Sequence, residues 1–553
     1  MSNYIPKNLE FDKLGRNKLI QGITKISKAV KSTLGPRGRT VLIESPDHVG
    51  GITITKDGVT VANSIALENP IENLSVQMLK DAARRTANTA GDGTTTAIVL
   101  TEALVAAGEK YITEKNNVTE VVKKIKEQIP FVIDFLRAGS KSVTNKRLHD
   151  VATISCNNDR DLGGIISDAY NKVGKNGIVT VERSQNHETY ATVTNGIKVD
   201  RGYTSNLFIT NQKNDESVLE DVLILVCDQE ISNFLQLETI LQPIISQNKK
   251  LLIIGPCSVN VVQTLAANVV RNGLKLCNIM PPQFGYKQHE LMQDIALSVG
   301  AKYFSEKTGD DLSLITLDDL GHADKIISGK NHTVIMKSNQ VTNNIVKRIE
   351  DLKEQQSNTE IVSDREFIDE RIASLSGSIA SVFVGGNSDI EQKEKYDRVE
   401  DAVCAVRSAM EEGIIPGGGV MLYRAAMRIR NKTNKNDSNK DKVVANMILS
   451  QALKSPMLQI LTNAGYDKRL SNGFWARVFR DKTTKSDIVV DVIKTGLNES
   501  RGYDVKREEF GDMFEMGVID PLKVTKNALE NAVSVATTIL TTNAIVTHAR
   551  AKE

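Results

Sequence analysis

The chain has 553 residues, 40% of them hydrophobic and 5% aromatic, long enough for several domains of roughly 100 to 200 residues, each with a buried core. Lys and Arg number 70 against 68 Asp and Glu, a formal charge of +2, so no global positive field argues for a nucleic-acid partner. No uninterrupted apolar run approaches the ~20 residues of a membrane helix. Residues 1–6 hold neither an apolar signal core nor an Arg- and Ser-rich transit pattern, and a cytoplasmic protein with no membrane partner is expected. The five cysteines, Cys156, Cys227, Cys257, Cys277 and Cys404, are odd in number and lack a Cys-x-x-Cys pair. Reduced, buried thiols are therefore favoured over disulfides or a zinc site.

Along the chain, residues 14–34 carry Leu19, Ile23, Ile26 and Val30 at three- and four-residue spacing, which predicts an amphipathic helix stopped by Gly35 and Pro36. Strands are expected over 40–43 and from 52 into Lys56-Asp57-Gly58. That tripeptide suits a hairpin turn, and equally a loop presenting an ammonium and a carboxylate together. In Thr89-Ala90-Gly91-Asp92-Gly93-Thr94-Thr95-Thr96-Ala97 a carboxylate sits between two glycines, and three hydroxyls open an apolar run of helical spacing. Glycines allow backbone N–H groups to approach a phosphate at a positive helix end, and Asp92 can hold a hard cation such as Mg²⁺. A plain helix start is the other reading. Residues 177–182 alternate as a strand, Asn195-Gly196 suits a hinge, and 251–254 is an apolar strand in an α/β region. Asp401 lies on a helical pattern with Asp397 one turn earlier. Gly417-Gly418-Gly419 suits either close packing on a ligand or a linker. Asp520-Pro521 suits a helix start with a capping carboxylate.

Six stretches, Thr33-Leu34-Gly35-Pro36-Arg37-Gly38, 53–61, 91–97, Arg398-Val399-Glu400-Asp401-Ala402, Gly417-Gly418-Gly419 and Asp520-Pro521-Leu522-Lys523-Val524-Thr525, share their order and spacing with one family. In these motifs the chain resembles the group I chaperonins, as a divergent member. The resemblance implies an α/β multidomain fold. A mainly helical equatorial ATP-binding domain would span 1–138 and 412–553, a small α/β intermediate hinge domain 139–195 and 377–411, and an α/β apical substrate-binding domain 196–376.

It further implies an ATP-dependent molecular chaperone whose ring binds, encloses and refolds non-native proteins; the alternative is a passive ring-shaped holdase with vestigial ATP hydrolysis. The implied partners are non-native clients, further copies in a seven-membered ring, and a lid-like co-chaperonin. Asp401 would orient the attacking water, with Asp57 as the second catalytic carboxylate. ATP would contact Thr33, Leu34, Gly35, Pro36, Lys56, Asp92, Gly93, Thr94, Thr95, Thr96, Gly418, Asp504, Val505 and Asp520. Asp92 would hold Mg²⁺, and Thr33, Lys56 and Thr95 would surround K⁺. Clients would meet Tyr203, Leu207, Phe208, Leu241 and Ala267 on an exposed apolar patch. Several positions depart from the family pattern: Glu238, Gln263 and Asn268 replace aliphatic residues, Asp504 stands where asparagine is usual, and Ser378 replaces a hinge glycine. Leu458 replaces the inter-ring arginine, and residues 470–486, with Trp475, Arg477, Arg480 and Lys485, are inserted nearby, so a conventional double ring is not expected.

Overall fold

The computed structural model describes residues 7–44, 52–156, 159–174, 178–184, 186–212, 215–337, 343–358, 362–375, 378–433, 439–467, 484–495 and 499–548. The inserted Phe474, Trp475, Arg477 and Arg480 lie outside them, as does the Ser376-Gly377 pair. The chain forms two compact units, one from Met1–Asp168, Val181–Tyr190 and Phe383–Glu553, the other from Ala169–Thr180 and Ala191–Val382. Most of the two segments expected as an intermediate domain fall in the first unit. Among the described residues no helix is long and apolar enough to cross a membrane.

The first unit is built on the helix Thr94–Tyr111. Ala97, Ile98, Val99, Leu100 and Thr101 are all buried, which marks a helix surrounded on every side rather than one presenting a single face. It packs against the helices Asp12–Val30, Pro70–Ala90, Lys440–Ala452 and Leu522–Thr541. Gly108 permits the closest of these approaches, since a Cβ there would lie 2.4 Å from Leu540 Cδ2. The shared core joins Ile23, Ile26, Leu79, Leu104 and Ile125 to Leu449, Leu529 and Ile539, each large side chain worth about 1.5–3 kcal/mol on burial.

The helix expected over 14–34 is Asp12–Val30 followed by one 3-10 turn, Lys31–Thr33. The expected strands are Val41–Glu44 and Ile52–Thr55, paired antiparallel. Lys56-Asp57-Gly58 does not turn a hairpin. Asp57 accepts the amides of Val59 and Thr60 and caps the helix Gly58–Ser64, satisfying first-turn donors that have no partner within the helix. Lys141 and Ile414 exchange both backbone hydrogen bonds, at 2.8 and 2.9 Å, so the outgoing and returning chain are tied together before the helix Val420–Lys432 begins.

The second unit contains a mixed sheet in the order Tyr190–Val199, Thr333–Lys337, Gly321–Ser328, Ser217–Cys227, Lys250–Ile254, Leu276–Ile279. The first four strands pair antiparallel and the last three parallel. The helices Glu238–Ser246 and Val259–Asn272 are the crossovers that the parallel strands require. Asn195 and Gly196 both lie inside a strand, in register with Lys337 and Met336. A Cβ on Gly196 would sit 2.5 Å from the Ile335 carbonyl oxygen, so the glycine serves close packing. Buried Asp294 on the helix Gly285–Val299 accepts Arg371 Nε at 2.6 Å and Arg348 Nε at 3.0 Å, holding the helices Asn343–Asn358 and Val362–Leu375.

Two residues expected on the client patch are core instead. Phe208 is fully buried and Leu241 nearly so. The reason is geometric: Phe208 ends a 3-10 turn, Asn206–Phe208, packed on the helix Val259–Asn272, and Leu241 shares the inner face of its helix with Ile240 and Ile244. Leu207 is 54% exposed, whereas Tyr203 and Ala267 are half-buried. Phe208→Ala should therefore destabilise this unit by about 3–5 kcal/mol, and Leu207→Ala by no more than about 0.5 kcal/mol. Denaturant unfolding of the full-length variants measures both, and equal losses would contradict the burial.

Candidate functional site

One cavity of about 1000 Å³ within the first unit gathers every residue expected to meet nucleotide or metal. Thr33 to Pro36, Lys56 and Asp57, residues 92–96, Asp401, Gly418, Asp504 with Val505, and Asp520 all stand on its walls. The potassium trio Thr33, Lys56 and Thr95 lies on the same walls.

At one end the backbone is shaped for an anion. Gly91 and Gly93 are both left-handed, φ 74° and 85°, and flank Asp92 where the helix Pro70–Ala90 stops and Thr94–Tyr111 starts. The new helix has no side-chain cap, so its first N–H groups remain free to donate, and the helix dipole favours negative charge there. The helix Val420–Lys432 repeats the arrangement, with Gly419 at φ 74° as an N-cap without a side chain. The triple glycine is thus a helix start and not a linker. Asp520 does not cap the helix that follows it. It lies in the strand Ile519–Pro521, paired with Ile414–Pro416, and its carboxylate accepts the amides of Gly418 and Gly419.

The helix Asp389–Glu412 brings in Asp401. Ser408 Oγ donates to the Ala90 carbonyl at 2.9 Å, and Cys404 covers Gly91 so closely that a Cβ there would lie 2.0 Å from Cys404 Cβ. Burial raises the Asp401 carboxyl well above the ordinary carboxylate value, and the charges of Asp57 and Asp92 raise it further. Asp397, one turn earlier, also lines the cavity. Asp92 is raised by burial and by Asp57, against the opposing hydrogen bond from the Gly93 amide. Burial, then Asp92, lift Asp520 to about 6.

Asp57, Asp92, Asp401 and Asp520 bring four carboxylates to the walls of one cavity, and carboxylate oxygen is the ligand chemistry a hard cation takes. Among the described residues no three His, Cys, Asp or Glu side chains enclose a metal by themselves. A cation at Asp92 would complete its shell from phosphate oxygens and water, the usual arrangement for Mg²⁺.

The opposite end is apolar. Ile460, Val489, Ile493 and Tyr503 form its wall, which suits a flat heterocycle. Asp504 Oδ1 accepts the amides of Lys506 and Arg507 at 2.8 and 3.2 Å, so it shapes the turn between the strands Arg501–Asp504 and Glu509–Asp512. Sequence reasoning misses this apolar wall, although Val489 and Ile493 have helical i, i+4 spacing that could have marked it. Arg160 and Arg398 are also on the walls; Arg398 opens the stretch that contains Asp401, whereas Arg160 carries no distinguishing signal in sequence.

The Asp520 carboxyl gives a pH-dependent test. Its folded pKa, about 6, exceeds the ordinary 3.8, so between about pH 4 and 6 the folded chain binds more protons than the unfolded one and stability falls as pH rises. Asp520→Asn keeps an acceptor for the two glycine amides and removes the charge. The ligand-free variant should unfold at a higher temperature than wild type near pH 7.5, the gap closing below about pH 4. Calorimetry at both pH values measures this, and equal stability near pH 7.5 would contradict a buried charge.

A sequence profile of the TCP-1/cpn60 chaperonin family matches residues 26–550. Two crystal structures of the chaperonin gp146 from the bacteriophage EL 2 (Pseudomonas aeruginosa), both in presence of ATP-BeFx, resemble this chain. Crystal form II superposes with a TM-score of 0.68 and 24% identity over 99% of this chain and 100% of that one. Crystal form I gives 0.61 and 23%, over 98% and 99%. At such identity the likeness is one of fold.

Proposed function

The chain belongs to the TCP-1/cpn60 chaperonin family, and from that premise we propose that it is an ATP-hydrolysing molecular chaperone that captures, encloses and refolds non-native proteins. The observation carrying the ATP part is one cavity on whose walls two helix N-termini without side-chain caps stand with the carboxylates of Asp57, Asp92, Asp401 and Asp520. In this reading the amides at Gly93 to Thr96 cradle phosphate, Asp92 holds Mg²⁺, and K⁺ sits by Thr33, Lys56 and Thr95. The metal supplies positive charge to the transferring phosphoryl group. Asp401 orients the attacking water and Asp57 assists, since phosphoryl transfer rests on positioning and charge. Asp520 and the Asp504-Val505 turn meet the ribose and base. Residues 1–138 with 412–553, 139–195 with 377–411, and 196–376 act as the three functional domains.

Client capture falls to Leu207, Tyr203 and Ala267, joined by Leu235, Val259 and Val270, which the structure exposes. Self-assembly into a seven-membered ring is supported by two ribbons with bare apolar faces. Leu9 pairs with Val546 on one and Leu42 with Ile54 on the other, and all four are exposed. A lid-like co-chaperonin completes the enclosed state.

Asp401→Ala should bind ATP normally but lower kcat by about 10²–10⁴-fold, whereas Asp92→Ala should lose Mg²⁺-dependent nucleotide binding. Wild-type turnover in Asp401→Ala would overturn its assignment. Refolding of a denatured client that rises only with ATP supports the foldase, and protection from aggregation indifferent to ATP supports the holdase. Exposed Leu458 cannot form an inter-ring ion pair, so mass measurement at moderate salt should give single rings, or double rings held by new contacts from Phe474 and Trp475. A double ring that survives deletion of 470–486 would exclude control of ring pairing by that segment.

A further inference from the structure

Two residues stand at the cavity rim without lining it. Arg37 follows Gly35 and Pro36, which do line it, in a turn closed by Gly38 N–H to Gly35 O at 2.9 Å and Arg39 N–H to Ser32 O at 2.8 Å. Glu508 follows Lys506 and Arg507, which also line the cavity, and its amide donates to Asp504 O at 2.8 Å. Each side is therefore locally rigid. What joins them is side-chain chemistry: Arg37 Nη2 meets Glu508 Oε1 at 2.8 Å, with the two side chains 40% and 45% exposed. The Arg37 guanidinium carbon also lies 5.8 Å from the centre of the Tyr466 ring. Tyr466 hydrogen-bonds Glu508, and its hydroxyl is 3.5 Å from that of Tyr503 on the apolar wall.

We propose that the Arg37–Glu508 ion pair is a latch on the nucleotide cavity, setting how fast nucleotide enters and leaves. This rests on the nucleotide reading above. A ligand passing on this side must push apart walls whose sequence positions lie far from each other, and the pair is the bond that such separation breaks. Because the pair is exposed, the latch is weak and depends on ionic strength. Because both partners are protein side chains outside the cavity lining, breaking the pair opens the way in and the way out alike. A lost ligand contact would instead speed release alone.

The test uses the full chain and N-methylanthraniloyl-ADP, with association and chase by unlabelled ADP followed in a stopped-flow instrument. Arg37→Ala and Glu508→Ala should each raise both rates by about 1.5- to 5-fold and leave Kd unchanged. The difference from wild type should shrink as ionic strength rises from about 0.01 M to about 1 M. The exchange Arg37→Glu with Glu508→Arg should restore slow exchange, which a merely damaged turn would not do. Unchanged rates overturn the latch, as do faster release with unaltered association, or an exchanged pair no slower than the single variants. A wild-type chain that binds no labelled ADP overturns the nucleotide reading and the latch with it.

Discussion

Asp57, Asp92, Asp401 and Asp520 share one cavity, where burial and a neighbouring carboxylate both oppose charge on Asp92, Asp401 and Asp520. Much of the surrounding architecture follows from that constraint. Glycine amides are turned on Asp92 and Asp520, and Asp57 is occupied with the first turn of a helix. What fixed dipoles leave uncompensated is a deficit of positive charge that a cation placed there would reduce. The helix carrying Asp401 belongs to the same balance. Gly91 admits Cys404 so closely that this helix docks on the Gly91-to-Thr96 loop itself, and any movement of it changes the electrostatics of the other carboxylates.

The features of this site legible in sequence are those whose chemistry is local. A left-handed glycine on either side of Asp92 needs nothing from the rest of the chain, and the Gly91-to-Thr96 loop can be read from its own residues. Lys56-Asp57-Gly58 and Asp520-Pro521 mislead because a cap, a hairpin turn and a short strand draw on the same residue types. Which one forms depends on partners: Val41–Glu44 already pairs with Ile52–Thr55, and Ile414–Pro416 claims the strand holding Asp520. Leu207 and Phe208 make the same point at one residue's distance. Within a 3-10 turn, neighbouring side chains point far apart, and only the helix packed beneath decides which is buried.

On the helix Val259–Asn272 the exposed Val259 and Val270 stand apart, with polar side chains between them. Thr264 Oγ1 donates to the Asn260 carbonyl, Asn268 Nδ2 to the Thr264 carbonyl, and Asn272 Nδ2 to Asn268 Oδ1. This polar run spends some of its hydrogen-bonding capacity on itself. Clients meeting this face would encounter amides and hydroxyls beside isolated apolar residues such as Val259, Val270 and Leu207, a surface whose affinity is divided among several weak terms rather than concentrated in one.

The bridge between Lys141 and Ile414 has a bearing on how the chain is made. During synthesis Ile23, Leu79, Leu104 and Ile125 emerge long before Leu449, Leu529 and Ile539, with which they share a core. The segment 191–382 is nearly continuous and owns its own core, so it can fold while the N-terminal helices still wait with apolar faces open. Closing the first unit then brings together segments already separated by a folded body, which shortens the effective loop to be closed. Lys141 and Ile414 sit at the mouth of that loop, where the late-arriving strand can be registered before the C-terminal helices dock.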